Sequence, residues 1–85
     1  MFISNLYRND ELQDTVEVMV LDAKDERFFK SNGIQVDIVD RTYEIILVAR
    51  NAIGTTIEYG KGTKSIRDAY SGLARQCRKH LVTKH

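Results

Sequence analysis

The residues best suited to chemistry lie in the last third of the chain, where a glycine-rich turn leads into a basic segment. Backbone N–H groups at a helix N-terminus, with a lysine nearby, can hold a phosphate, and Gly60-Lys61-Gly62-Thr63 precedes a helical pattern. The Walker pattern requires glycine, four residues and then Gly-Lys-Ser/Thr. Here five residues separate Gly54 from Gly60, and Lys61 is followed by glycine, so nucleotide hydrolysis is not predicted. Two interpretations remain, a simple turn with a helix cap and a phosphate-contacting loop.

Lysine and arginine side chains that follow this turn share a second kind of chemistry. Residues 61–85 carry seven lysines and arginines against one acid, whereas residues 1–60 carry six against eleven. A row of cations along a helix can neutralise the phosphates of an RNA or DNA backbone. The alternative is an ordinary solvated face, because basic residues near a helix C-terminus oppose the helix dipole. The candidate nucleic-acid-binding residues are Lys61, Lys64, Arg67, Arg75, Arg78 and Lys79.

The other reactive side chains form no catalytic or metal-binding pattern. The single cysteine, Cys77, falls on the apolar stripe of the last helix, which predicts a buried and unreactive thiol. One cysteine with two histidines, His80 and His85, does not supply a structural zinc site. The acidic residues show no pairing suited to general acid–base work. We therefore expect no enzymatic activity, no cofactor and no metal.

Length and composition are those of one globular domain over residues 1–85. The chain has 85 residues, of which 42% are hydrophobic and 29% are charged, which is ordinary for a folded protein. It has no apolar run of about 18 residues, so no transmembrane helix is predicted. The first residues lack the pattern of a secretion signal, and a lone cysteine fits a reducing compartment. A cytoplasmic protein without membrane contact is expected.

Alternating apolar residues predict strands at 15–21, 34–39, 42–50 and 55–59. Short links join the last three strands, so an antiparallel meander is expected, with Asp40-Arg41 as a tight link. The strand at 42–50 is apolar on both faces, which predicts a central position. Residues 22–33 fit either a short helix or a loop.

The last third of the chain has the strongest periodicity, that of a long amphipathic helix capped by Thr63 or Ser65. Gly72 within it costs about 1 kcal/mol relative to alanine, and we expect it to allow close approach to the sheet. The predicted fold is α+β, an antiparallel three- to four-stranded sheet in the order β-(short α)-β-β-β-α with the long helix on one face. The apolar stripe of that helix comprises Ile66, Ala69, Tyr70, Leu73, Ala74, Cys77, Leu81 and Val82.

One helix covers only one face of such a sheet. The other face shows Ile46 and Val48, and it needs cover from the N-terminal segment, from Phe28 and Phe29, or from a partner. The uncovered apolar face therefore predicts a homodimer or a complex with another protein.

The basic helix carries a resemblance to a known family. The segment 73–80, Leu-Ala-Arg-Gln-Cys-Arg-Lys-His, resembles the last helix of ribosome hibernation-promoting factors, which often reads Leu-x-Arg-Gln-apolar-Arg-Lys-His. That family has a β-α-β-β-β-α domain and binds ribosomal RNA with basic helix faces. The present chain departs from it in having at most a short first helix, at residues 23–31.

A second resemblance covers the meander, the turn at 60–64 and the last helix. Together they are similar to the end of a double-stranded-RNA-binding domain, which places lysines at the start of this helix to span phosphates. Lys61, Lys64 and Arg67 stand in that region, although the Lys-Lys-x-x-Ala-Lys register of that family is not met. Both resemblances imply RNA contact through the same helix.

The leading functional prediction is a non-enzymatic RNA- or ribosome-binding module. Its six basic residues would contact phosphates without sequence specificity. The alternative is a small protein-binding regulator or inhibitor, of the type that phages and accessory elements encode. Such a protein would act through acidic loops or through the exposed sheet face.

Overall fold

The computed structural model describes residues 1–42, 44–60 and 65–82. The strands form one five-stranded sheet in the order β2-β1-β3-β4-β5. β1 and β3 are parallel, and the other neighbours are antiparallel. The predicted α+β class with a C-terminal helix is confirmed. The elements are β1 (Ile3–Arg8), β2 (Glu11–Glu17), α1 (Ala23–Ser31), β3 (Gln35–Arg41), β4 (Glu44–Arg50), β5 (Thr56–Tyr59) and α2 (Ile66–His80).

The sheet corrects the prediction in two respects, because it is mixed rather than antiparallel and has five strands rather than three or four. The additional strand is β1, whose core-facing side includes the polar Ser4 and so breaks the apolar alternation. Asn9 and Asp10 link β1 to β2 with φ angles of 52° and 63°, values typical of a tight two-residue hairpin turn. β2 therefore begins at Glu11, earlier than the predicted strand at 15–21.

The meander β3-β4-β5 is confirmed, with one change at its first link. β3 runs through Arg41, which pairs with Glu44 of β4. Asp40 and Arg41 are thus strand residues and not a turn. β4 lies between β3 and β5, the interior position that its apolar residues on both faces predict.

Both helices pack on the same face of the sheet. Phe29 of α1 and Tyr70, Leu73 and Cys77 of α2 share one core with Val36, Leu47 and Ala49 of the sheet. Cys77 is fully buried, as predicted. Neither of the two helices in the described part of the chain has the length and hydropathy needed to cross a bilayer.

Local signals at α2 explain where it begins and how closely it lies on the sheet. The Ser65 hydroxyl accepts a hydrogen bond from the Asp68 backbone N–H at 3.1 Å, which confirms Ser65 as the helix cap. Thr63, the other predicted cap, lies outside the described residues. A Cβ built on Gly72 would overlap the ring of Tyr59 in β5, so the predicted close approach at this glycine is also present.

The sheet face opposite the helices, called the open face below, carries Ile46 and Val48. The N-terminal segment does not cover it, because residues 3–8 form a strand of the same sheet. Phe28 and Phe29 do not cover it either, since Phe29 lies in the core between helices and sheet and Phe28 packs against that core. Neither described helix therefore covers this face, although Ile46 is itself only 6% exposed.

Candidate nucleic-acid interface

The structure places four of the six predicted phosphate-binding residues on α2. Arg67, Arg75 and Lys79 are exposed, whereas Arg78 is only half exposed. Lys61 and Lys64 lie outside the described residues.

Three of these cations form one row along the helix. Arg67, Ser71, Arg75 and Lys79 are four residues apart, and each step advances about 6 Å along the axis at 1.5 Å per residue. The row is thus about 18 Å long, with a hydroxyl between the two arginines. Arg67, Arg75 and Lys79 make no ion pair with another described residue. Their charges are available to a ligand.

Arg78 differs from the other three because it holds the two helices together. Its Nη2 atom lies 2.9 Å from Oδ1 of Asp25, and its guanidinium carbon lies 4.5 Å from the centre of the Phe28 ring. An ion pair and a cation–π contact thus both join Arg78 of α2 to α1. Its charge is already balanced within the chain, so it adds less to an outer anion site than its neighbours do.

The first helix contributes two cations that are not among the six predicted binding residues. Lys24 and Arg27 are exposed on α1, and neither forms an ion pair with a described residue. They were not predicted because Asp25 and Glu26 are their neighbours in sequence and make the segment look electrically neutral. The structure removes this apparent neutrality, since those two acids are paired elsewhere.

Glu26 shows how the acids of α1 are neutralised. Its carboxylate lies 3.4 Å from the Lys30 ammonium and 3.4 Å from the terminal ammonium of Met1. Desolvation opposes ionisation, but these two cations hold the pKa of Glu26 below its ordinary value. Asp25 is neutralised by Arg78 as described above. The unpaired charges of α1 are therefore positive.

Charge is divided between the two layers of the molecule. The helices, called the helix layer below, carry seven lysines and arginines and three acids, whereas the five strands carry three and seven. Five of the seven helix cations have no ion pair among the described residues, and Asp68 is the one helix acid in that condition. These cations are Lys24, Arg27, Arg67, Arg75 and Lys79.

No protein-family model, no curated protein and no solved structure matches this chain. The resemblances to ribosome hibernation-promoting factors and to double-stranded-RNA-binding domains accordingly stay predictions.

Proposed function

We propose that the chain is a non-enzymatic RNA- or ribosome-binding module that holds the phosphate backbone against its helix layer. The observation that carries the proposal is the set of five exposed helix cations without an internal ion pair. Surface cations of this kind displace the counterions that are condensed on a nucleic acid. This counterion release is the main source of sequence-independent affinity.

The arrangement on α2 explains how phosphates would be held. The arginine forks of Arg67 and Arg75 each match the geometry of a phosphate. Ser71 places a hydroxyl donor between them, and Lys79 continues the row toward the C-terminal end of the helix. Contacts to phosphates carry no base information, so we expect affinity with little sequence preference.

Charge on the sheet sets the orientation of binding. Its three bases and seven acids repel a polyanion, so the molecule approaches with the helix layer first. Lys61 and Lys64, which precede α2 in the sequence, are included in the proposed contact.

The test is the salt dependence of binding to a labelled RNA duplex, followed by fluorescence anisotropy. In a plot of log affinity against log salt concentration, each neutralised phosphate makes the slope more negative by about 0.9. An Arg75→Ala variant is expected to weaken binding and to reduce this slope by about one. The matched control is Arg50→Ala, because Arg50 is also exposed but lies on a strand.

Two outcomes would overturn the proposal. One is the absence of binding at low salt, and the other is an equal loss of slope in the Arg50 and Arg75 variants. Parallel titrations with duplex DNA, single-stranded RNA and purified ribosomes assign the class of polyanion, since all four share the phosphate chemistry.

A further inference from the structure

The open face carries a continuous apolar row across four strands. Leu12 of β2 pairs with Tyr7 of β1, Tyr7 with Val39 of β3, and Val39 with Ile46 of β4. Paired residues point to the same face of a sheet, and strands lie about 4.8 Å apart, so the row is about 14 Å long. Leu12 is 56% exposed and Tyr7 and Val39 are half-buried, whereas Ile46, at the β4 end of the row, is only 6% exposed.

A bulge in β2 completes this row. Leu6 pairs with Asp14 and Tyr7 pairs with Leu12, so Gln13 is an extra residue without a partner. A bulge of this kind re-aims the side chains that follow or precede it. Here it brings Leu12 beside Tyr7 on the open face.

Next to the apolar row lies a carboxylate whose charge is not balanced. Asp37 is only 8% exposed, and it accepts hydrogen bonds from the amides of Gln35 at 3.1 Å and Asn5 at 3.4 Å. Both donors are neutral, and no lysine or arginine in the described ranges lies within ion-pair distance of it. Buried charges are normally paired with an opposite charge, so this position is suited to a cation from outside the chain.

The open face as a whole also carries more acids than bases. The open face carries Glu17, Glu44 and Glu58 in addition, against Arg41 and Arg50. Arg41 is occupied by Glu58, with its Nη2 atom 3.4 Å from Oε1. The charge of the face is therefore negative around an apolar centre.

These charges argue against a second copy of the chain as the occupant. Two open faces stacked about a two-fold axis would bring acidic residues together. The helix layer of another copy offers cations, but its large apolar side chains, such as Phe29 and Tyr70, are buried in its own core. An occupant must supply both apolar and basic side chains.

We infer that the open face docks a basic amphipathic helix of a partner protein. Its apolar stripe lies along the accessible part of the row, from Leu12 to Val39, and one of its lysines or arginines reaches Asp37. This accessible part crosses three strands and is about 10 Å long, which corresponds to roughly seven helical residues at 1.5 Å per residue and provides two or three apolar positions on one side.

The experiment uses the full chain labelled with ¹⁵N and a peptide of about 14 residues, long enough for the row, with leucines at helical spacing and lysines elsewhere. Amide chemical shifts locate the peptide, and their titration gives the Kd. Two matched peptides replace all lysines by glutamate or all leucines by serine. We expect shifts centred on the open face and binding by the first peptide only.

Variants of the chain test the two contacts separately. Asp37→Asn keeps the shape of the side chain and an oxygen that can accept the hydrogen bonds from the Gln35 and Asn5 amides. It removes the charge and is expected to weaken binding at least about tenfold. Leu12→Ser is expected to weaken it about fivefold. Ile53→Ser is the control, because Ile53 is 87% exposed in the β4–β5 turn, and it should leave the Kd within about twofold.

Four outcomes would overturn the inference: no binding at millimolar peptide, shifts confined to the helices, equal affinity for the glutamate peptide, or an Asp37→Asn variant that binds like the parent chain. A dimer that buries the open face and excludes the peptide would overturn it as well. If Asp37→Asn does not fold, Leu12→Ser decides, since that side chain is exposed. RNA binding by the helix layer is unaffected by either change, so the two proposals fail independently.

Discussion

Substituting Gly72 by alanine sets two opposing effects against each other within α2. Alanine favours the helix by about 1 kcal/mol over glycine. However, a Cβ at position 72 would overlap the Cε1, Cζ and Oη atoms of Tyr59. Gly72 is buried in the helix–sheet contact, so the added methyl group cannot turn toward solvent.

The steric effect is expected to outweigh the gain in helix propensity. Overpacking a close contact costs about 1–3 kcal/mol. The half-buried Tyr59 ring can move outward, but it then gives up its packing under the helix, which is itself worth about 1–2 kcal/mol for part of an aromatic side chain. After the helix gain of about 1 kcal/mol, we expect Gly72→Ala to lower the free energy of unfolding by up to about 2 kcal/mol, and Tm by about 4–8 °C for each kcal/mol lost.

Urea denaturation and thermal melts followed by circular dichroism measure this change. Ser71→Ala is the matched control, because Ser71 is the exposed neighbour on the same helix and gains helix propensity without a clash. It should stabilise the chain by a few tenths of a kcal/mol. In a Tyr59→Val background the ring is gone, and Gly72→Ala should then stabilise by about 1 kcal/mol.

The double-mutant cycle separates the proposed cause from a general intolerance of the site. Stabilisation of the parent chain by Gly72→Ala would refute the close contact with Tyr59. An equal loss in the parent and in the Tyr59→Val background would show that some other neighbour sets the cost.

Three further predictions concern the core and the helix contact. Tyr70→Phe leaves the buried Ser4 hydroxyl without its 2.8 Å hydrogen-bond partner and should cost about 1–2 kcal/mol in urea denaturation, whereas adding Ser4→Ala should recover part of this loss; no recovery would contradict the pairing. Burial raises the pKa of the Cys77 thiol from 9.0 to about 11. The neutral buried thiol therefore contributes up to about 3 kcal/mol to the free energy of unfolding. This contribution is fully present below pH 9 and is lost as the pH rises through 11. A pH series should show a shallower alkaline fall in Cys77→Ala, and identical profiles would refute it. Asp25→Asn weakens the ion pair with Arg78 and should cost about 0.5–1 kcal/mol, less at high salt; salt-independent stability loss would point to another cause.

The parts of the fold that follow local periodicity were predictable, and α2 is the clearest case. Strand β1 was not predicted because the polar Ser4 occupies a core position and interrupts the apolar alternation. Its hydroxyl is satisfied by Tyr70, which is 66 residues away in the chain. No local signal records such a contact, and with β1 missing the parallel pairing with β3 was missed too.

The candidate site was predictable to the same extent. The spacing of basic residues on α2 identified the exposed row, but Arg75 and Arg78 look alike in sequence. Only the packing of α1 against α2 shows that Arg78 is held by Asp25 and Phe28. The face on which Leu12 lies could not be predicted either, because it depends on the bulge at Gln13.

The division of charge between helices and strands gives the molecule an electrical polarity. Near a polyanion, attraction of one layer and repulsion of the other act as a torque that turns the molecule to a single orientation. A molecule held in this way presents its acidic strands outward, where the open face stays accessible. Under the two proposals made above, both surfaces could be used at the same time, and the chain would then act as an adaptor that tethers a basic protein segment to a phosphate-rich polymer.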